Sequence, residues 1–173
     1  MKSDNIYLVG LMGAGKTTIG KLLAKTLHKT FYDSDKVLEQ QTGVSIATIF
    51  EIEGEAGFRQ REQKVIAELT ALDGIVLATG GGVVLNPDNR LALTTRGQVV
   101  YLSCGVERLW ERTRHDKQRP LLQQANPKAV LTRLLAERQP LYQACADFVI
   151  DSGQVRTKAA VKQIIAHFSP VNQ

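Results

Sequence analysis

The chain has 173 residues, 43% of them hydrophobic and 23% charged, which suits one domain with a buried core and excludes a disordered chain. Its formal net charge is +5, but the lysines and arginines are dispersed, with no run of five and no interleaved aromatics, so small anionic ligands are expected and nucleic acid is not. Cys104 and Cys145 form no metal or redox motif, and no apolar stretch has the length of a signal peptide or a membrane span, so the expected address is the cytoplasm.

Asn5–Val9 reads as a buried strand and Thr18–Leu27 as a helix with an apolar stripe of Ile19, Leu22, Leu23 and Leu27. Between them, residues 10–17 spell GxxxxGKT, the phosphate-binding loop, in the strand–loop–helix setting that gives the pattern physical meaning. Its glycines let backbone N–H groups turn toward phosphate oxygens, and the helix N-terminus adds partial positive charge. Gly13, Ala14, Gly15, Lys16, Thr17 and Thr18 are therefore the candidate triphosphate contacts. Lys16 suits the β- and γ-phosphates, and the Thr17 hydroxyl suits Mg²⁺.

The second strand, Thr30–Asp33, runs into Asp33-Ser34-Asp35. Strand ends on this side of a parallel sheet face the phosphate loop, and carboxylates two residues apart point the same way if the chain is extended. One could then hold a metal-bound water while the other accepts a hydrogen bond from a hydroxyl substrate; Asp35 could alternatively cap the next helix. Ser34–Gly57 has helical periodicity interrupted by Gly43 and Gly54, which suits a short helical subdomain walling a pocket. The long helix that follows carries Val65, Ile66 and Leu69 on one stripe. Arg59 and Glu62 share one of its faces, so the glutamate could orient the guanidinium as a receptor for a carboxylate. A surface ion pair is the simpler account of those two residues alone.

A third strand, Ile75–Thr79, leads directly into Gly80, Gly81 and Gly82, where missing side chains let the backbone approach a ligand. After a fourth strand, Gln98–Ser103, the polar stretch Arg114–Asn126 has the length and charge of a mobile lid and contains Arg119, which could close onto a transferring phosphate. Arg138 is expected at the end of a helix that Pro140 stops, a place where arginines are usually solvated. A fifth strand, Phe148–Asp151, and a final helix with Val161, Ile164, Ile165 and Phe168 complete the pattern. Short apolar runs alternating with amphipathic stretches predict an α/β fold, a three-layer α/β/α sandwich on a mostly parallel sheet. No NKxD-type base-reading motif is present and the chain is too short for a large motor, which leaves mainly small-metabolite and nucleotide kinases.

GxxxxGKT followed in order by DSD, FRxRE, TGGG, RPLL and ERxPLY closely resembles the shikimate kinase family, and the resemblance runs from about Ile6 to the last helix. It implies a P-loop kinase fold of the nucleoside-monophosphate-kinase type, with a five-stranded parallel sheet of order 2-3-1-4-5. The whole chain, 1–173, would be one domain, with a substrate-binding segment over about 34–61 and a lid over about 112–126. It also implies transfer of the γ-phosphoryl of ATP to the 3-hydroxyl of shikimate, with Mg²⁺ as cofactor, by a monomer without nucleic-acid or membrane partners. By the same resemblance Asp35 accepts the substrate proton, Thr17 ligates the metal while Asp33 supports it through water, and Arg59 and Arg138 clamp the shikimate carboxylate beside the Gly80–Gly82 backbone. Lys16 and Arg119 stabilise the transferring phosphate, Arg112 lies near the adenine, and the loop 152–156 closes over the base. Gluconate-type sugar-acid kinases are the nearest competing enzymes, since they share the phosphate loop and an anionic polyol substrate. An ATP-binding module without catalysis is the reading from another class.

Overall fold

The computed structural model describes residues 2–117 and 119–169; residue 118 of the expected lid and the chain's first and last residues lie outside them. Five strands, β1 (Ile6–Val9), β2 (Thr30–Asp33), β3 (Ile75–Ala78), β4 (Gln98–Ser103) and β5 (Phe148–Asp151), form one sheet of order β2-β3-β1-β4-β5. Every pairing is parallel, with Tyr7 of β1 opposite Leu77 of β3 and Val99 of β4. β1 and β3 are buried at every position and read as continuous apolar runs, because helices cover both sides of the sheet centre. The edge strands β2 and β5 are only partly covered.

Among the described residues six α-helices lie between strands, α1 (Lys16–Leu27), α2 (Ser34–Thr42), α3 (Ile46–Thr70), α4 (Pro87–Arg96), α5 (Val106–Thr113) and α6 (Pro127–Cys145), and α7 (Thr157–Phe168) follows the last. The crossover through α1 steps two places toward the β2 edge, whereas those through α3, α4 and α6 step the other way. Right-handed connections place these two sets on opposite faces, and α7 packs beside α1. The sheet order is the one the family resemblance implies, and the three layers are those the alternation of elements predicts.

Two local expectations are corrected. β2 ends at Asp33 and α2 begins at once, so the two aspartates are not an extended pair. Asp33 is the helix cap, its side chain accepting from the N–H groups of Asp35 and Lys36, while Asp35 sits inside the first turn. Pro140 does not end α6, which runs on to Cys145. Proline removes one helical hydrogen bond, but the turn beyond it buries Tyr142 and Cys145 in the core, and burying two such side chains offsets that loss. Gly43 closes α2 with a left-handed φ of 74°, and Gly54, at φ 72° and ψ −179°, breaks α3 into two arms. The helical periodicity over 34–57 is thus realised as α2 and the first arm of α3.

Candidate active site

β1 delivers the chain into the phosphate loop at the C-terminal edge of the sheet. Gly10, Gly13 and Gly15 all have positive φ. A side chain at Gly10 would meet the Leu102 carbonyl oxygen at 2.6 Å, and one at Gly13 the Thr113 methyl at 2.7 Å. Gly15 caps α1 without any side-chain hydrogen bond, so the helix opens with backbone N–H donors directed at the loop. Lys16 is buried and its ammonium donates to the carbonyls of Gly10 (2.5 Å) and Leu11 (3.0 Å). Burial, with Arg119 adding repulsion, lowers its pKa from 10.5 to about 7. Thr17 donates its hydroxyl to Asp33 Oδ2 at 2.9 Å, which ties the start of α1 to the end of β2.

The short step from β2 into α2 also aims Ser34 and Asp35. Ser34 is buried and its hydroxyl accepts the Gly80 N–H at 3.1 Å. Asp35 Oδ1 is shielded from water and has no hydrogen-bond partner. Desolvation, reinforced by the nearby Asp33 charge, raises the Asp35 pKa from 3.8 to about 6.

The second arm of α3 carries Arg59 between Glu55 (3.3 Å) and the buried Glu62 (3.0 Å), with its guanidinium 5.0 Å from the Phe58 ring centroid. This is a partly buried network around one arginine, and Glu62 Oε2 and Arg59 Nε remain without partners. Burial pushes the Glu62 carboxyl up while Arg59 opposes the shift. On α6, Arg138 is 2% exposed, with Nε and Nη1 unpartnered. Carrying α6 past Pro140 keeps this turn in the interior, which is why the expectation of a solvated helix end fails.

Gly80 and Gly82 of the three consecutive glycines have a steric reason, whereas a side chain at Gly81 would make only ordinary contacts. A side-chain carbon at Gly80 would stand 2.9 Å from Glu62 Oε2 and 3.0 Å from Asp35 Oδ1, and one at Gly81 would stand 3.5 Å from Arg138 Nη1. One at Gly82 would collide with the Arg59 guanidinium. The guanidinium groups of Arg59 and Arg138 therefore stand over neighbouring residues of a single loop.

Arg112 on α5 donates to the Gly13 carbonyl (3.0 Å) and the Ser152 carbonyl (2.9 Å), joining the phosphate loop to the turn after β5. Arg119, ahead of a 3₁₀ turn at Pro120–Leu122, pairs with Asp116 at 2.9 Å in a half-exposed position. One cavity of about 1300 Å³ is lined by every candidate named from the sequence: Gly13, Ala14, Gly15, Lys16, Thr17, Thr18, Asp33, Asp35, Arg59, Gly80, Gly81, Gly82, Arg112, Arg119 and Arg138. It is large enough for a nucleotide and a small second ligand. Phe50 and Phe58, with ring centroids 4.8 Å apart, belong to its apolar wall. Ser34 and Tyr142 hold the glycine loop and were not singled out by sequence reasoning. The available signals were the place of Ser34 between two aspartates and that of Tyr142 one turn after Arg138.

No group of three or more His, Cys, Asp or Glu side chains among the described residues could hold a metal by itself. No helix among them is long and apolar enough to cross a membrane.

A family model for shikimate kinase matches residues 12–169. The shikimate kinase of Thiobacillus denitrificans is 61% identical over 153 residues, 88% of this chain and 84% of that protein. That of Methylococcus capsulatus is 55% identical over 161 residues, covering 93% and 90%. Among solved structures, the shikimate kinase from Acinetobacter baumannii in complex with shikimate superposes with a TM-score of 0.95 at 47% identity, covering 99% of this chain and 96% of that one. With the phosphate loop, the paired arginines and the glycine loop facing one cavity, this chain belongs to the shikimate kinase family.

Proposed function

We infer that this chain transfers the γ-phosphoryl group of ATP to the 3-hydroxyl of shikimate in this cavity, giving shikimate 3-phosphate and ADP. One observation carries the assignment of roles: an acceptor oxygen on Asp35 and two donors on Arg138 are buried, unpartnered and line the same cavity as the phosphate loop. Buried polar atoms without partners are costly, and a ligand presenting hydroxyls and a carboxylate would satisfy both kinds.

In this reading Asp35 accepts a hydrogen bond from the attacking hydroxyl and takes its proton late in the transfer. A loose phosphoryl transition state needs the alcohol positioned more than it needs early deprotonation, so a carboxylate of pKa about 6 is adequate. Arg59 and Arg138 clamp the carboxylate from adjacent positions over the Gly80–Gly82 backbone. Lys16 leaves the carbonyls of Gly10 and Leu11 for the β- and γ-phosphates, and contact with that negative charge restores its ammonium form. Arg119 lies on the 112–126 lid and reaches the transferring phosphate when it closes. Arg112 holds the phosphate loop against the 152–156 turn near the adenine.

The Thr17 hydroxyl and the Asp33 carboxylate, 2.9 Å apart at the N-terminus of α1, fit Mg²⁺. One hydroxyl ligand from Thr17, with Asp33 holding a metal-bound water, would suit an ion that takes its other ligands from phosphates and water. When bound, Mg²⁺ supplies charge neutralisation between the phosphates. The monomeric state and the cytoplasmic location expected from the resemblance belong to the same proposal.

The test is phosphoryl transfer from ATP to shikimate, gluconate and AMP in parallel. Turnover with shikimate alone is expected. Transfer to gluconate or AMP without transfer to shikimate would reject the assignment.

A further inference from the structure

Tyr142 touches the glycine loop one residue beyond the amide that Ser34 holds. It is fully buried, its ring stacks on Tyr101 at 5.0 Å, and its hydroxyl donates to the Gly81 carbonyl. It lies one helical turn after Arg138, so the two side chains project from the same face of α6. Both converge on Gly81: Tyr142 binds its carbonyl, and Arg138 Nη1 stands 3.5 Å from the place a side-chain carbon would take.

This proximity poses a problem that Tyr142 solves. A buried guanidinium with two unpartnered nitrogens, beside a backbone carbonyl, gains free energy by donating to that carbonyl. Were it to do so, Arg138 would turn toward the loop. The phenol already meets the carbonyl's need with its hydrogen, and its oxygen faces the Arg138 guanidinium, which opposes the upward push of burial on the phenol. Ser34 fixes the preceding amide by accepting the Gly80 N–H, and the Gly80 carbonyl accepts from Val83 N–H at 3.1 Å. The loop is thus held at three backbone polar groups, none of them by Arg138.

We propose that Tyr142 is a positioning residue for substrate carboxylate recognition: its hydroxyl occupies the Gly81 carbonyl and so leaves the Arg138 guanidinium directed at the ligand. The proposal rests on the reading of Arg138 as a carboxylate receptor. It assigns a function to a phenol that otherwise looks like a core residue.

Tyr142→Phe is the discriminating variant, because it keeps the ring and its stack on Tyr101 and removes only the O–H. The wild type is assayed first; absence of ATP-dependent phosphorylation of shikimate would reject the activity itself, whatever Tyr142 does. For the variant, the KM for shikimate is expected to rise about tenfold, the scale of one buried hydrogen bond, with the KM for ATP within about twofold of wild type. Binding of shikimate and of its methyl ester is then compared by calorimetry or inhibition. If Tyr142 acts through Arg138, the acid loses about tenfold in affinity and the neutral ester loses little. Equal losses for acid and ester, or no loss for either, would overturn the proposal. So would a Tyr142→Phe chain that does not fold, since the hydroxyl would then serve the core rather than the site.

Discussion

Replacing Asp35 by asparagine should stabilise the ligand-free protein while lowering kcat by orders of magnitude, and the stabilisation should depend on pH in a defined way. Asp35 Oδ1 is buried without a partner, and the carboxyl titrates near 6 instead of 3.8. The folded state therefore holds this proton more tightly than the unfolded state. A raised carboxyl contributes stability that is fully present below pH 3.8 and is lost as the pH rises through about 6. At about 1.36 kcal/mol per pH unit, the upper bound on the cost of the charge above that window is about 3 kcal/mol. Asp35 keeps some contact with water in the cavity, so roughly half of that, about 1–2 kcal/mol, is the expected realised cost. Asparagine removes the charge with almost no change of volume. For a chain of this size the gain corresponds to about 3–6 °C in Tm.

The assay is thermal or urea unfolding of both proteins at pH 4, 5, 6 and 7 without ligands. The stability difference between the variant and the wild type should grow from its pH 4 value as the pH increases and level off above about 6. Taking the difference cancels every other titrating group, to the extent that Asp35 does not alter their pKa values. Its buried neighbours Lys16, at about 7, and Glu62, pushed up by burial and by Asp35 itself, are coupled to it, so the sign and onset of the rise above pH 4, rather than its exact shape, are diagnostic. A difference that stays flat from pH 4 to 7 would refute the claim that Asp35 is strained in the empty site. A variant more stable than wild type and still near normal turnover would move the proton acceptor elsewhere.

Arg138→Ala should raise the KM for shikimate at least tenfold and leave the KM for ATP nearly unchanged, as read in steady-state kinetics. Gly82→Ala forces a methyl group into the Arg59 guanidinium, so shikimate affinity should fall about as far as in Arg59→Ala; calorimetry of the two variants checks this. At pH 8, ATP binding should take up a proton, because Lys16 titrates near 7 in the empty protein and charges again beside the phosphates. Titrations in two buffers of different ionisation enthalpy measure that uptake, and Lys16→Met should abolish it. Arg112→Ala breaks the bridge between Gly13 and Ser152 and should weaken ATP binding several-fold with little change for shikimate, measured as separate KM values.

The fold was legible because its signals are local. Three central strands are nearly unbroken apolar runs, the helices have clear stripes, and three of the five strands begin and end at the residues the sequence indicates. The misreadings arose where tertiary packing overrides a local rule. Pro140 breaks helices on average, but here burial of Tyr142 and Cys145 carries α6 through it. The aspartates of DSD looked like an alternating pair because nothing in the three letters says that a helix begins at Ser34. The outcome for the site was the same by another geometry: the helical turn, not the pleat, brings Asp33 and Asp35 to the cavity.

The residues least legible in the sequence are those that serve the site by occupying its neighbours' hydrogen-bonding groups. Asp35, Arg59 and Arg138 carry charge in a recognisable order, so they stand out. Ser34 and Tyr142 carry none, and their contribution is to leave particular atoms unsatisfied. The Ser34 hydroxyl takes the Gly80 N–H and the Tyr142 phenol takes the Gly81 carbonyl. The loop is then rigid, while Asp35 Oδ1 and Arg138 Nε and Nη1 find no partner inside the protein. A site built this way holds its binding energy as unmet polar demand, and a loop free to rotate would meet that demand internally. Rigid backbone and orphaned side-chain atoms are thus one design, and loosening the first should be measurable as loss of the second.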